Sequence, residues 1–176
     1  MKKFTALLML ICIALLPLVS QAETIPAVTW EESGAALIEA LGLEGDFVAL
    51  PEMGLQFWLP SQLVYVESSE EDLAKGIYAT FVDSDLECVL QVTALHQDGA
   101  TLDDVYAAAV ANGLDTDYVI LNGLYTVSYK DAASDVGCVT LVDTNSNIIT
   151  FSITPINSDL AEAAFAIIMT SLMPQQ

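Results

Sequence analysis

The chain has 176 residues, with 24 Asp and Glu against four Lys, no Arg and a single histidine, His96. From Glu23 onward only Lys75 and Lys130 stand against all 24 acids, a formal charge of −22. This balance excludes nucleic acid, which needs clustered cations, disfavours anionic membranes and phosphorylated substrates by repulsion, and leaves no His-based metal cluster within one chain.

The first 22 residues read as an address. Met1-Lys2-Lys3 is a short basic region, Phe4 to Val19 is almost continuously apolar, and Ser20-Gln21-Ala22 places small residues at −3 and −1 of a cut before Glu23. This is the layout of a secretory signal peptide, cleaved after Ala22. The apolar run is short for a bilayer span, which takes about 20 residues. The expected product is a secreted or otherwise extracytoplasmic protein, residues 23–176. Its length suits one domain with a real core.

Along that product, Thr29-Trp30-Glu31-Glu32 has capping-box spacing, Ala36, Leu37, Ala40 and Leu41 follow at helical spacing, and Gly42 suits a helix end. A helix is predicted over 30–41. Phe47 to Leu50 reads as a strand closed by Pro51. Leu55-Gln56-Phe57-Trp58-Leu59 alternates, with Leu55, Phe57 and Leu59 on one face and Trp58 on the other. The acidic stretch Glu67 to Asp72 is expected in a solvated turn. Strands follow over 76–82 and 87–95, the latter with Cys88, Leu90, Val92 and Ala94 on one face.

Thr101-Leu102-Asp103-Asp104 is a second capping-box signal. It opens a helix with Leu102, Val105, Ala109 and Val110 as its stripe and Gly113 past its end. Asn122-Gly123 between two apolar runs is a hairpin signal. Asp143 to Asn147 turns a second hairpin, between strands over 136–142 and 148–156. Ser158 or Asp159 then opens a final helix, with Leu160, Ala164, Ile167, Ile168 and Leu172 buried, before Pro174. Strands in clusters with interspersed helices predict an α+β domain, a mainly antiparallel sheet covered by helices.

Chemistry is sparse. Two cysteines remain after Ala22, and Cys88 and Cys138 stand either as a disulfide, which export permits, or as two buried thiols. His96 follows a strand and has no G-x-S-x-G elbow to serve, so it reads as an exposed turn residue. Most acids fall in turns and helix starts, where solvation or capping explains them. Calcium takes oxygen ligands alone. The alternating oxygens of Asp83-Ser84-Asp85 and of Asp143, Asn145 and Asn147 make Asp83, Asp85, Asp143, Asn145 and Asn147 the candidate ligands. The second loop departs from an EF-hand, with Ile148 at the glycine position and Thr154 at that of the bidentate glutamate.

The segment Gly54-Leu55-Gln56-Phe57-Trp58-Leu59-Pro60 resembles the opening strand of PsbP-like domains. Thr101-Leu102 opening a helix, Leu121-Asn122-Gly123 before an alternating strand, and Ile149-Thr150-Phe151-Ser152-Ile153 before a helix ending Ile168-Met169-Thr170-Ser171-Leu172 follow the same order. The likeness spans Phe47 to Leu172. It implies an α/β/α sandwich around an antiparallel sheet, in small secreted bacterial proteins of unassigned activity. Characterised members of the family act mainly by binding other proteins. The leading functional expectation is a non-enzymatic binding module with an unknown protein partner and no cofactor. A calcium-binding or calcium-stabilised secreted domain is the alternative, and a carboxylate-dependent hydrolase the third.

Overall fold

The computed structural model describes residues 24–83 and 87–175. In chain order these form β1 (Ala27–Val28), α1 (Trp30–Leu41), β2 (Gly45–Leu50), a 3-10 turn (Pro51–Met53), β3 (Leu55–Pro60), β4 (Leu63–Val66), α2 (Glu70–Ala74), β5 (Ile77–Asp83) and β6 (Val89–His96). There follow α3 (Leu102–Ala111), β7 (Asp115–Leu121), β8 (Leu124–Asp131), β9 (Val136–Val142), β10 (Asn147–Thr154), α4 (Asp159–Ser171) and β11 (Met173–Pro174).

An eight-stranded sheet runs β1-β7-β8-β9-β10-β6-β5-β4, antiparallel except for β1 beside β7. A separate three-stranded sheet runs β11-β3-β2. The alternation in each strand decides which face meets the core. Leu90 and Val92 of β6, Val139 and Leu141 of β9, and Ile149, Phe151 and Ile153 of β10 project from the inner face and are buried. They meet Leu55, Phe57 and Leu59 of β3 and Ala161, Ala164, Phe165 and Ile168 of α4 in one cluster. Phe57 sits at its centre, edge-on to Phe81 at 5.9 Å and Phe151 at 5.4 Å. Gly137 of β9 admits α4: a Cβ there would lie 2.9 Å from the Phe165 ring.

Outside this layer α1 adds another. Leu37 and Trp30 pack on Trp58 and Ile167, and the two indoles stack at 6.5 Å. Trp58, on the face of β3 opposite Phe57, is therefore core: both faces of β3 are covered, so the strand is buried on both sides.

The Asn122-Gly123 hairpin forms as expected. Both turn residues have positive φ, 49° and 87°, the geometry that matches strand twist. The Asn122 side chain does more than turn. Its Oδ1 accepts from the Trp30 backbone N–H at 2.6 Å, and its Nδ2 donates to the Thr170 and Leu172 carbonyls, each at 2.9 Å. One amide thus holds the start of α1, the β7–β8 turn and the end of α4 together.

Four features depart from expectation. Leu63–Val66 is a strand, one of the two edges of the large sheet. The acidic stretch is partly helical, with Ser69 and Asp72 forming a capping box for α2. Val110 is exposed rather than part of the buried stripe, because α3 covers only one half of the sheet and buries only Ala109. The final helix ends at Ser171, short of Pro174, and Met173–Pro174 pair with β3 as a short strand.

Asn122→Gly keeps the backbone conformation and removes all three bonds. Chemical denaturation should show a loss of about 2–4 kcal/mol, from roughly 1 kcal/mol per bond plus unsatisfied partners. A change within about 0.5 kcal/mol would mean that the three contacts contribute nothing net.

Candidate functional site

The acidic turn between β9 and β10 is self-satisfied. Asp143 Oδ1 accepts from the backbone N–H groups of Asn145 and Asn147, both at 2.8 Å, and Oδ2 accepts from Asn147 Nδ2 at 2.7 Å. Burial pushes the Asp143 carboxyl up, but these Asn147 and Asn145 bonds outweigh it and hold it below its ordinary value. Asp83 is buried and accepts from the N–H groups of Glu87 and Cys88, closing the turn before β6. The two turns sit at opposite ends of β6, about 26 Å apart at 3.3 Å per residue. Asp85 lies outside the described residues. Among the described residues no group of three or more His, Cys, Asp or Glu is placed to hold a metal ion.

Cys88 and Cys138 are free and buried, so the structure shows two thiols in place of the disulfide alternative. The reason is geometric. Cys88 belongs to the inner face, whereas Cys138 pairs with Ser152, and Ser152 with Gln91, on the outer face. Two strand spacings alone separate them by about 10 Å, beyond the roughly 7 Å limit for bridging. Burial pushes both thiols up to about 11, so neither supplies a thiolate. His96 is exposed at the far end of β6. Its Nε2 lies 3.0 Å from Asp98 Oδ1 and its Nδ1 3.3 Å from Asn147 Oδ1.

The outer face of the large sheet is the distinctive surface. Strand register sorts it into cross-strand rows. Ile120, Tyr125, Val142, Ile148 and Leu95 form one. Tyr118, Val127, Thr140, Thr150, Thr93 and Ile77 form the next, and Thr116, Tyr129, Cys138, Ser152, Gln91, Thr80 and Val66 the third. α3 packs over the β7–β8–β9 half, so Val127 is fully buried while Tyr125, at the margin, is 63% exposed. Among the described residues α3 does not cover the β10–β6–β5–β4 half, and the five-residue α2, none of it buried, meets it at β5. Val64 is 58%, Val66 47% and Leu95 55% exposed. Every outward side chain there is uncharged: Val64 and Val66, Ile77, Thr80 and Val82, Val89, Gln91, Thr93 and Leu95, Ile148, Thr150, Ser152 and Thr154. Acids stand at the ends of these strands, at Glu67, Glu87, Asp98 and Asp143. Both lysines among the described residues are engaged elsewhere, Lys75 with Glu71 at 2.7 Å and Lys130 over the Phe165 ring at 5.5 Å.

The sequence reading missed this face because it missed β4. The signal was present: Leu63-Val64-Tyr65-Val66 is an uninterrupted β-forming run between Pro60-Ser61 and Glu67. A cleft under α3 holds one carboxylate, Asp104, bound to the Thr101 hydroxyl at 2.6 Å and its N–H at 2.9 Å in a capping box. The paired carboxylates of a glycosidase are not brought together there.

Two outcomes follow. In peptide mapping after alkylation, Cys88 and Cys138 should stay unmodified in the folded protein at pH 8 and both react in denaturant without reductant; a pair that resists alkylation even then is disulfide-bonded. Hydrogen bonds to Asp98, then Asn147, raise His96 above its ordinary 6.5. A raised folded pKa gives stability that is full below the unfolded value and lost as pH rises through the folded one. The melting difference between wild type and His96→Gln should therefore be largest below about pH 6 and vanish by about pH 8; a difference that grows with pH would contradict the assignment.

No protein-family model matches the chain, and no curated protein does. Solved structures do. The solution structure of cyanobacterial PsbP (CyanoP) from Synechocystis sp. PCC 6803 is similar at TM-score 0.51 and 15% identity, covering 90% of this chain and 99% of that one. A crystal structure from Bacteroides thetaiotaomicron VPI-5482 is similar at TM-score 0.48 and 13% identity, covering 76% of this chain and 50% of that one. The order of strands and helices found here, a mostly antiparallel sheet with its helices, is a PsbP-like fold.

Proposed function

We propose that this protein is a secreted, non-catalytic binding module that docks a protein partner on the open outer face of β10–β6–β5–β4. One observation carries the reading: a chain with 24 acids keeps that face free of charge and leaves it uncovered. An acidic protein gains solubility by spreading carboxylates over its surface. A neutral surface spanning four strands runs against that economy and needs a reason. Four strands at about 4.8 Å and some 20 Å long present on the order of 400 Å², the size of patch that on monomers is often functional.

The charge pattern also states the partner's chemistry. The centre is β-branched and threonine-rich, and Glu67, Glu87, Asp98 and Asp143 ring it. The complementary surface is apolar and uncharged in its middle with Lys or Arg around its rim. Apolar contact then supplies affinity, and the rim supplies orientation and encounter rate. A second copy of this chain is a poor occupant, since it brings the same acids. Secretion rests on the leader-like first 22 residues, and the neutral, unbridged thiols suit a role without covalent chemistry.

The test pairs Val64→Lys/Leu95→Lys with wild type. Both sites are exposed, so the melting temperature should move little. Proteins captured from the producing cell's envelope and medium by wild type and lost by the variant are identified, purified and titrated. The expected partner binds wild type at least about tenfold more tightly than the variant, and more weakly as NaCl rises from about 0.05 to 0.3 M. Failure of any protein to distinguish the two would overturn the reading.

A further inference from the structure

We propose that the cleft between α3 and the outer face of the large sheet is a binding site for one small, uncharged, mainly apolar molecule. This site borders the open docking face, sharing Ile148 with it, and does not depend on that reading. Its volume is about 340 Å³, at the lower end of the range for small-molecule sites. Val105, Ala108 and Ala109 line it from the helix, Tyr129 and Ile148 from the sheet, and Leu114 from the connection to β7.

The cleft has a definite cause. α3 is fixed on its β7 side by large groups. Tyr106 stacks on Tyr118 at 4.3 Å with the rings nearly parallel, and the Tyr118 hydroxyl donates to Asp103 Oδ1 at 2.8 Å. The capping box between Thr101 and Asp104 holds the first turn. Toward β9 and β10 the helix lines the cleft with the small Val105, Ala108 and Ala109, and with Asp104 in its first turn. Two stacked rings on one side and methyl groups on the other prop the helix up like a wedge, and the gap lies beneath its small-residue side. The cleft is open to water along one side, and a molecule seated in it would take apolar wall out of water and gain contacts with helix and sheet at once.

The walls state the ligand's chemistry. They are mainly aliphatic, with Tyr129 the aromatic among them. The Tyr129 hydroxyl receives the Thr140 hydroxyl at 3.5 Å, and Thr140 pairs with Thr150 at 2.8 Å, so the deep polar groups are neutral. The one charge in the wall is the Asp104 carboxylate, and the chain as a whole is strongly negative. An anion is repelled, and neither lysine lies in the wall to receive one. A neutral molecule of one or two fused rings fits both volume and lining.

The probe is N-phenyl-1-naphthylamine, a neutral dye whose emission rises and shifts to the blue in apolar surroundings. The purified protein should give a saturable, one-to-one fluorescence increase. Ala108→Phe, at an exposed helix position that projects into the cleft, should weaken binding at least about tenfold, and the smaller Ala108→Leu should weaken it less. Val64→Lys on the open face should leave binding unchanged. The anionic analogue 8-anilinonaphthalene-1-sulfonate should bind at least about tenfold more weakly than the neutral dye. Circular-dichroism melts of each variant establish that it is folded; if Ala108→Phe is not, Ala108→Leu alone decides. An unsaturable signal, equal binding by the folded Ala108 variants, or loss in Val64→Lys would overturn the site. Equal affinity for the sulfonate would overturn its preference for uncharged ligands.

Discussion

Asn122 joins three parts of the chain that are distant in sequence. At its positive φ it turns β7 into β8, a role that only a few residue types fill without strain. Its amide then receives the first N–H of α1 and donates to the last carbonyls of α4. Those are groups that helices leave unsatisfied at their ends, and they become costly where water is shut out. Because α1 and α4 meet here, the layer of Trp30, Leu37, Trp58 and Ile167 has a fixed place to form. Because α4 is held, Phe165 reaches Gly137 and closes the main core over the sheet.

With the inner face committed to α4 and β3, the face of the large sheet left free by the described residues is the outer one. A single short helix divides it. α3 is ten residues long and covers the β7–β8–β9 half. The open half and the wedge-shaped cleft are therefore two results of the same economy of helix. Both follow from how little of the chain was assigned to that side.

Local signals were legible where chemistry is local. Thr101 and Asp104, Asn122 and Gly123, and the alternation of Leu55, Phe57 and Leu59 each specify a conformation within a few residues, and each formed as read. What the sequence did not show was decided by distant contacts. Trp58 is core only because α1 folds over it. Cys88 and Cys138 point to opposite sides of one sheet, and that follows from register across β6, β10 and β9, which no spacing rule supplies. Asp143 matches the first position of an ion-binding loop, yet its oxygens are occupied by the turn's own N–H groups. The open face was invisible for a different reason. Absence of charge over thirteen scattered residues becomes a pattern only after the strands are laid side by side.

The edge strand β4 is Leu63-Val64-Tyr65-Val66, bare of the lysine, proline or inward charge that usually keeps sheet edges from joining. Its protection is delegated from the strand to the whole molecule. Two copies approaching edge to edge bring together more than twenty negative charges each, and that long-range repulsion does what a local guard residue does elsewhere. Such protection is collective and conditional. It weakens when carboxylates take up protons in acid and when dissolved ions shorten the reach of the field, whereas a buried lysine or a proline would be indifferent to both. Colloidal behaviour is thereby tied to the fluid around the protein rather than to its fold.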